Sequence, residues 1–358
     1  MKKLLKYTII LLITFLVLLV FGFSYYKSQL EAVATDSDEL VVFEVKEGEY
    51  LNTTLDRLES EGLIKSAFYT KVYLKFNDMS GFKFGTYQFS PSLKSVEILE
   101  MMIKGSDYYP DQISLTFIEG FNIKQYAMVV EEKTIHSGED FINHLNNEAF
   151  IDSLIEKYWF ITEDVKNPKL YFPLEGYLSP NTYILSSDEA ALDELYYKML
   201  DQTDMILSAY KDTYKTENIE SIHQLLSLAS IVELEAFSYE DRQGVANVFH
   251  NRLNIGYQLG SCVTSYYGVG VLLSERNLYN SEFNDDNDYN TRGTIAGLPI
   301  GPISNPSKAA IEATINYIES DDLYFVSDIN RKIHFTKTYD EHLKIIAKLK
   351  KEGLWLEW

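Results

Sequence analysis

Between Thr8 and Phe23 the chain carries no charge, and Tyr25-Tyr26 extends this apolar run. At ~1.5 Å of rise per residue, the roughly 20 residues from Lys6 to Tyr26 are long enough to cross a bilayer's hydrocarbon core. Lys2, Lys3 and Lys6 precede the run, and basic flanks of this kind stay cytoplasmic. Ala32-Val33-Ala34 has the small residues of a signal cleavage site. It lies well past the run, however, and the run is longer than a usual signal h-region. The expectation is a cytoplasmic tail over 1–6 and an uncleaved single-pass anchor over 7–26. A polar, acidic linker over 27–40 follows, ending in Thr35-Asp36-Ser37-Asp38-Glu39, and everything beyond Tyr26 faces the outside.

A chain of 358 residues with 46% hydrophobic and 24% charged residues is a folded protein with room for two or three domains. Its net charge of -21 argues against nucleic acid, whose phosphates need a basic surface. Cys262 is the only cysteine, so no internal disulfide forms. The fold stands on its core alone.

Past the linker, Val41-Val42-Phe43-Glu44-Val45 reads as a strand closed by Lys46-Glu47-Gly48-Glu49. Helical patterns follow over 51–61 and 66–76, stopped by Gly62 and capped by Ser66 respectively. A strand at 85–89 and a helix at 95–103 complete a small unit over 41–106. It has no catalytic triad, metal cluster or phosphate loop. A second strand, 113–118, leads into Glu119-Gly120. Helical patterns are expected at 123–132, around 141–157, over 189–210, at 222–236 and over 243–253. The loop from Asn280 to Thr294 is polar, and Gly297-Leu298-Pro299-Ile300-Gly301-Pro302 forces an irregular turn. Asn305-Pro306-Ser307 caps a helix over 308–318, strands at 323–326 and 333–336 pair, and a helix closes the chain over 340–350.

The segment 222–236 carries the chemistry. Ile222, Leu225, Leu226, Ala229, Val232 and Ala236 define one buried helical face. At roughly 100° per residue, Glu233 falls inside that arc, between Ala229 and Leu226. A carboxyl placed there is desolvated, which favours its protonated form, as general-acid chemistry requires. The competing reading is a structural strut tied to an Arg or to backbone N–H groups. Glu235 falls at the edge of the arc, as a solvated or supporting group.

Other constellations fail on spacing. The 6 histidines include no His-Glu-x-x-His, so neither zinc nor any other cofactor is expected. Asp286-Asn287-Asp288-Tyr289-Asn290 hints at a calcium loop, but Thr291 stands where glycine is needed. Cys262 reads as a small apolar filler and not as a nucleophile.

The motifs then resemble, in order, those of the MltG (YceG-like) endolytic murein transglycosylases. Ala229-Ser230-Ile231-Val232-Glu233 with Glu235 is similar to that family's catalytic helix, and Asn247-Val248-Phe249-His250-Asn251-Arg252-Leu253 to the helix after it. Tyr289-Asn290-Thr291, Gly297-Leu298-Pro299, Gly301-Pro302-Ile303 and Asn305-Pro306 resemble its substrate-loop signature. Upstream, Glu119-Gly120 and the stretch Leu174-Glu175-Gly176-Tyr177-Leu178-Ser179-Pro180-Asn181-Thr182-Tyr183 also match. Cys262 stands where the family usually has Asp, Val263 where it has Pro, Asn181 where it has Asp, Ile300 where it has Pro, and Ser307 where it has Gly.

The resemblance implies an α+β fold: a single N-terminal transmembrane helix, a small LysM-like α/β module over 41–106, and a larger mixed α+β catalytic domain over 112–358. It implies cleavage of the β-1,4 bond between N-acetylmuramic acid and N-acetylglucosamine in nascent glycan strands, leaving 1,6-anhydromuramic ends. A lone carboxyl suits that reaction, because the attacking C6 hydroxyl belongs to the substrate, whereas hydrolysis needs two carboxylates. Glu233 is expected to act first as acid and then as base. Tyr289, Asn290, Asn305 and Glu235 are expected to bind substrate, with loop architecture as the equal alternative for the first three. Glu175 reads as a supporting group or helix-cap partner. Peptidoglycan strands are the expected partner, with penicillin-binding proteins and the elongation or division machinery implied by analogy. The rivals are a wall-binding scaffold with a decayed site around Cys262, and a hydrolytic muramidase using Glu233 and Glu235.

Overall fold

The computed structural model describes residues 2–35, 37, 39–46, 48–77, 79–106, 108, 112–189, 192–293 and 295–355, with side chains from residue 6 onward. Asp36, Asp38, Glu47, Ala190, Ala191 and Thr294, which fall in the expected linker, turn, helix and loop, lie outside the described residues, as do the side chains of Lys2 and Lys3. The protein is mixed α+β and divides into two compact units, Met1–Asp111 and Gln112–Trp358.

The first unit opens with α1 (Lys2–Ser28). Its stretch Lys6–Ser28 is strongly apolar and exposed over most of its length, with Tyr25 and Tyr26 at its end packed against Tyr69. Leu11 and Phe21 are 73% and 70% exposed. This is a helix long and apolar enough to cross a membrane. Then come β1 (Val41–Val45), α2 (Leu51–Ser60), α3 (Ala67–Phe76), β2 (Gly85–Phe89) and α4 (Ser95–Lys104). The strands pair antiparallel, Val41 opposite Phe89 and Val45 opposite Gly85. Alternation puts Phe43, Tyr87 and Phe89 on the inner face, against Leu55, Leu58, Ile98, Leu99 and Met102. Ser66 caps α3, its side chain accepting from Tyr69 N–H.

The second unit runs β3 (Ile113–Thr116), α5 (Ile123–Lys133), α6 (Gly138–Leu145), α7 (Glu148–Lys157), a 3-10 turn at Glu163–Lys166, β4 (Thr182–Leu185), α8 (Leu192–Ser208), α9 (Ile222–Glu235), α10 (Tyr239–Asn254), α11 (Cys262–Val269), α12 (Asn280–Phe283), α13 (Lys308–Ile315), β5 (Tyr324–Ser327), β6 (Ile333–Thr336) and α14 (Tyr339–Glu352). β3 pairs with β4 and β5 with β6, both antiparallel. The single helical pattern expected around 141–157 is two helices, because Asn147 takes an extended backbone and caps α7 through Phe150 N–H. α10 starts four residues before the expected 243, where Ser238 caps it through Asp241 N–H.

The largest correction concerns α9. The periodicity predicts one buried face, but every residue from Ile222 to Glu233 except Gln224 is buried. α13, α10 and α11 pack around it. Ser227 and Ser230 survive inside because their hydroxyls donate back to the carbonyls of His223 and Ser227 along the same helix.

Candidate active site

Glu233 sits in the last turn of this central helix, 9% exposed. It is not a lone desolvated acid. Arg242, from the first turn of α10, places Nη2 2.6 Å from Oε1 and is itself buried. Arg242 Nε also donates to the carbonyl of Ala236, just past the end of α9, which fixes the guanidinium plane. Ser307, the N-cap of α13, donates its backbone N–H to Glu233 Oε2 at 2.9 Å and its hydroxyl to the same oxygen. Three donors, one of them a cation, therefore converge on one carboxylate. An Arg and a backbone N–H are the partners that the strut reading named by type, but the sequence did not single out Arg242. It lies on a different helix, beyond a break at Ala236–Ser238, where no periodicity links the two side chains.

A second carboxyl lies deeper. Glu175 is buried and accepts from Ile123 N–H, the first amide of α5, from Tyr267 Oη and from Asn305 Nδ2. This is the helix-cap role the sequence suggested. Burial pushes its carboxyl up to about 8 despite these donors. Asn305 links it to Glu233. Its Oδ1 accepts from the N–H groups of Gly176 and Leu178, its Nδ2 donates to Phe121 carbonyl, and Ser307 follows two residues on. Gly176 has φ +83, and a Cβ there would lie 2.4 Å from Pro302 Cβ, so only glycine lets the two loops meet.

Tyr289, Asn290 and Asn305 are all essentially fully buried, and their polar groups are engaged inside the protein. Tyr289 Oη accepts from Tyr171 N–H, and its ring packs between those of Tyr171 and Tyr267. Asn290 Oδ1 accepts from Ser265 Oγ and Arg292 N–H, while its Nδ2 donates to the carbonyls of Phe283 and Asp285. Of the two alternatives left open for these residues, the arrangement favours loop architecture.

Glu235, the last residue of α9, faces another way. It is half-buried and accepts from Ser261 Oγ at 2.5 Å. Burial raises its carboxyl, with the Ser261 hydroxyl, Arg292 and Arg252 opposing that shift, so of the two readings its helical position allowed, solvated or supporting, the placement fits the supporting one. Beside it, Arg292 Nη1 points at Cys262 Sγ, 3.0 Å away. A cavity of about 430 Å³ opens at the N-terminal end of α9, lined by His223, Gln224, Leu298 and Ile300 among others, and does not include Glu233. Among the described residues no cluster of His, Cys, Asp and Glu is arranged to hold a metal ion.

The sequence model of the YceG-like family matches residues 43–348. A Bacillus subtilis (strain 168) protein named endolytic murein transglycosylase is 33% identical over 328 residues, 91% of this chain and 89% of that one. A Streptococcus pneumoniae (strain D39) protein of the same name is 31% identical over 342 residues, 92% of this chain and 62% of the relative. The crystal structure of a YceG-like protein from Listeria monocytogenes shares 30% identity at a TM-score of 0.61, covering 86% of this chain and 100% of that one. A matching family profile over most of the chain, relatives above 30% identity and a shared fold lead to one conclusion: the chain belongs to the YceG-like family.

Proposed function

We propose that this chain is an endolytic murein transglycosylase that cuts the β-1,4 bond between N-acetylmuramic acid and N-acetylglucosamine within nascent glycan strands, leaving 1,6-anhydromuramic ends. Its relatives' shared name supports the reaction class. The observation that carries the site is the fixed carboxylate of Glu233, one oxygen on Arg242 and the other on Ser307. In the one-carboxylate form of the mechanism, Glu233 serves as acid to the glycosidic oxygen and as base to the muramic C6 hydroxyl as O6 attacks C1. The nucleophile is already part of the substrate, so holding it against the bond is an effective-molarity gain and needs no water. The muramidase alternative would need a second carboxylate facing the same bond as Glu233, and Glu235 is turned to Ser261 instead.

In this reading α1 is a single-pass anchor with residues 1–6 in the cytoplasm, 7–26 in the bilayer and 27–40 as an outward linker. Residues 41–106 serve as a LysM-like wall-binding module, and 112–358 as the catalytic domain at the outer face of the cell membrane. Tyr289, Asn290, Asn305 and Glu235 shape the substrate loops, and the anchor sets the reach to new strands beside penicillin-binding proteins and the elongation or division machinery. Mass analysis of products from polymeric glycan tests the reading. Anhydro ends lack one water relative to reducing ends. Reducing ends would make the protein a muramidase, and the absence of new ends would make it a scaffold.

A further inference from the structure

The loop between α9 and α10 presents an exposed ring at the edge of the site. Phe237 is 68% exposed, and both of its neighbours hold Arg242. The carbonyl of Ala236 accepts from Arg242 Nε at 3.1 Å, and that of Ser238 accepts from Arg242 N–H at 2.9 Å. Arg242 in turn holds Glu233 Oε1. Phe237 is therefore anchored, through its own backbone, to the residue that fixes the carboxylate.

Arg331, at the tip of the β5–β6 hairpin, lies over this ring with Cζ 4.2 Å from the centroid. The hairpin is mounted on α10, the helix that carries Arg242. A Cβ on Gly244 would lie 2.4 Å from Phe335 Cζ, and Phe249 meets Phe325 edge-on with ring centroids 5.7 Å apart. Arg331 has φ +65 and is the only residue other than glycine in the left-handed region among the described residues. Its turn compels that conformation. Asp328 carbonyl accepts from Arg331 N–H at 2.9 Å, and Asp328 Oδ1 accepts from the N–H groups of Asn330 and Lys332 at 2.9 and 3.1 Å. Glycine would sit there without strain, so the strained arginine points to a use for its side chain. That side chain is exposed, and among the described residues no carboxylate pairs with it and none of its guanidinium N–H groups meets a protein acceptor. A guanidinium laid on a ring keeps its in-plane N–H fork for a carboxylate.

In a chain of net charge -21, such a cation is the feature that an anionic substrate group would find. The two sugars of the glycan differ by one substituent. Muramic acid bears a lactyl arm on O3 that ends in a carboxylate, or in a peptide stem that carries carboxylates; glucosamine bears neither. An enzyme that cuts only one of the two alternating bonds must read that arm. We propose that Arg331, braced by Phe237, binds a carboxylate on the O3 arm and so seats muramic acid beside Glu233. The inference rests on the transglycosylase reading.

The test uses the full-length chain in neutral detergent and three forms of end-labelled glycan strand. One keeps its peptide stems. The second is stripped of them by an amidase, which frees the lactyl carboxylate, and the third is stripped and then methylamidated, which leaves the arm neutral. Affinity is read by fluorescence anisotropy in the cold, before appreciable cleavage, and turnover by mass analysis of new ends. Arg331→Gln should raise Kd and KM by ~10-fold or more on carboxylate-bearing strands, with kcat little changed. On neutral strands it should match wild type. A difference that disappears on stripping assigns the contact to the stem; one that disappears only on methylamidation assigns it to the lactyl carboxylate. Arg331→Lys, with the charge but not the fork, should fall between the two. Phe237→Leu, which removes the ring from under the guanidinium, should lose part of the same preference. Arg331→Gly should melt no lower than wild type, because the turn suits glycine, yet lose affinity as Arg331→Gln does. Equal affinities of wild type and Arg331→Gln on all three strands overturn the proposal, and so does a loss of the same size on all three. Reducing ends from wild type, or no new ends, would strike the transglycosylase reading, while the anisotropy comparison still decides the role of Arg331.

Discussion

Arg242 Nη2 lies 2.6 Å from Glu233 Oε1, and both side chains are closed off from solvent. This pair changes what removing the carboxylate does. A lone desolvated carboxyl would gain stability on becoming an amide. Here Glu233→Gln leaves a buried guanidinium facing a neutral group, and a loss of ~1–3 kcal/mol is expected. Turnover should fall further, by at least ~10²-fold, because an amide neither gives nor takes the proton. Denaturant unfolding and product mass analysis on the same preparation check both. If activity falls only as far as the folded fraction does, Glu233 is a strut and not a catalyst.

Glu175 makes stability depend on pH. Its folded carboxyl titrates at about 8, against ~4.3 in an unfolded chain. The folded state therefore keeps a proton that the unfolded state has lost between these values. Stability from this group is complete below ~4.3 and declines as pH rises through about 8, by an order of a few kcal/mol. Glu175→Gln fixes the neutral form in place, with its amide able to donate to Tyr267 Oη. The variant should match wild type near pH 5 and melt higher near pH 8. Parallel melting curves across that range would remove Glu175 as the cause.

Local devices were readable from the residues, and assembled ones were not. Ser66 and Ser307 cap the helices they precede, and Gly62 with φ +74 ends α2, because capping is settled within one turn of chain. The Glu233 helix was located, yet its burial on all sides depends on α10, α11 and α13, which no single window contains. α11 was missed outright: Cys262–Val269 has no polar face to set a period, and six of its residues are buried. Arg242 belongs to the site only because the chain folds back across a helix break. Ser307 stood out as a departure from the family pattern, but the role of its hydroxyl appears only once α13 is packed against α9.

Removing residues 1–26 should give a protein that stays in the supernatant after high-speed centrifugation without detergent. Lys6–Ser28 is strongly apolar, and its contacts with the rest of the protein lie at its end, where Tyr25 and Tyr26 meet Tyr69 and Ser28 carbonyl meets Lys65. Its ring of exposed Leu, Ile and Phe side chains has lipid as its natural solvent. The second unit's core draws only on residues from 113 onward, so the catalytic fold should survive the truncation. Continued sedimentation of a folded truncated protein would show a second membrane contact and overturn the single anchor.

Ser307 performs two tasks, and a pair of substitutions separates them. Its hydroxyl accepts from Ala310 N–H to cap α13 and donates to Glu233 Oε2, while its backbone N–H reaches the same oxygen independently. Ser307→Ala removes both hydroxyl contacts and keeps the backbone donor. A cost of ~1 kcal/mol is expected, the usual value for a lost cap. Ser307→Gly tolerates the cap position better, and only a few tenths more than the serine protein should be lost there. If Arg242 and the amide suffice to hold the carboxylate, both variants should keep turnover within about tenfold of wild type, since removing true acid–base catalysis costs ~10²–10⁴-fold. A hundredfold loss in Ser307→Ala at unchanged stability would mean that the hydroxyl itself takes part in moving the proton, and the role proposed for Glu233 would have to include it.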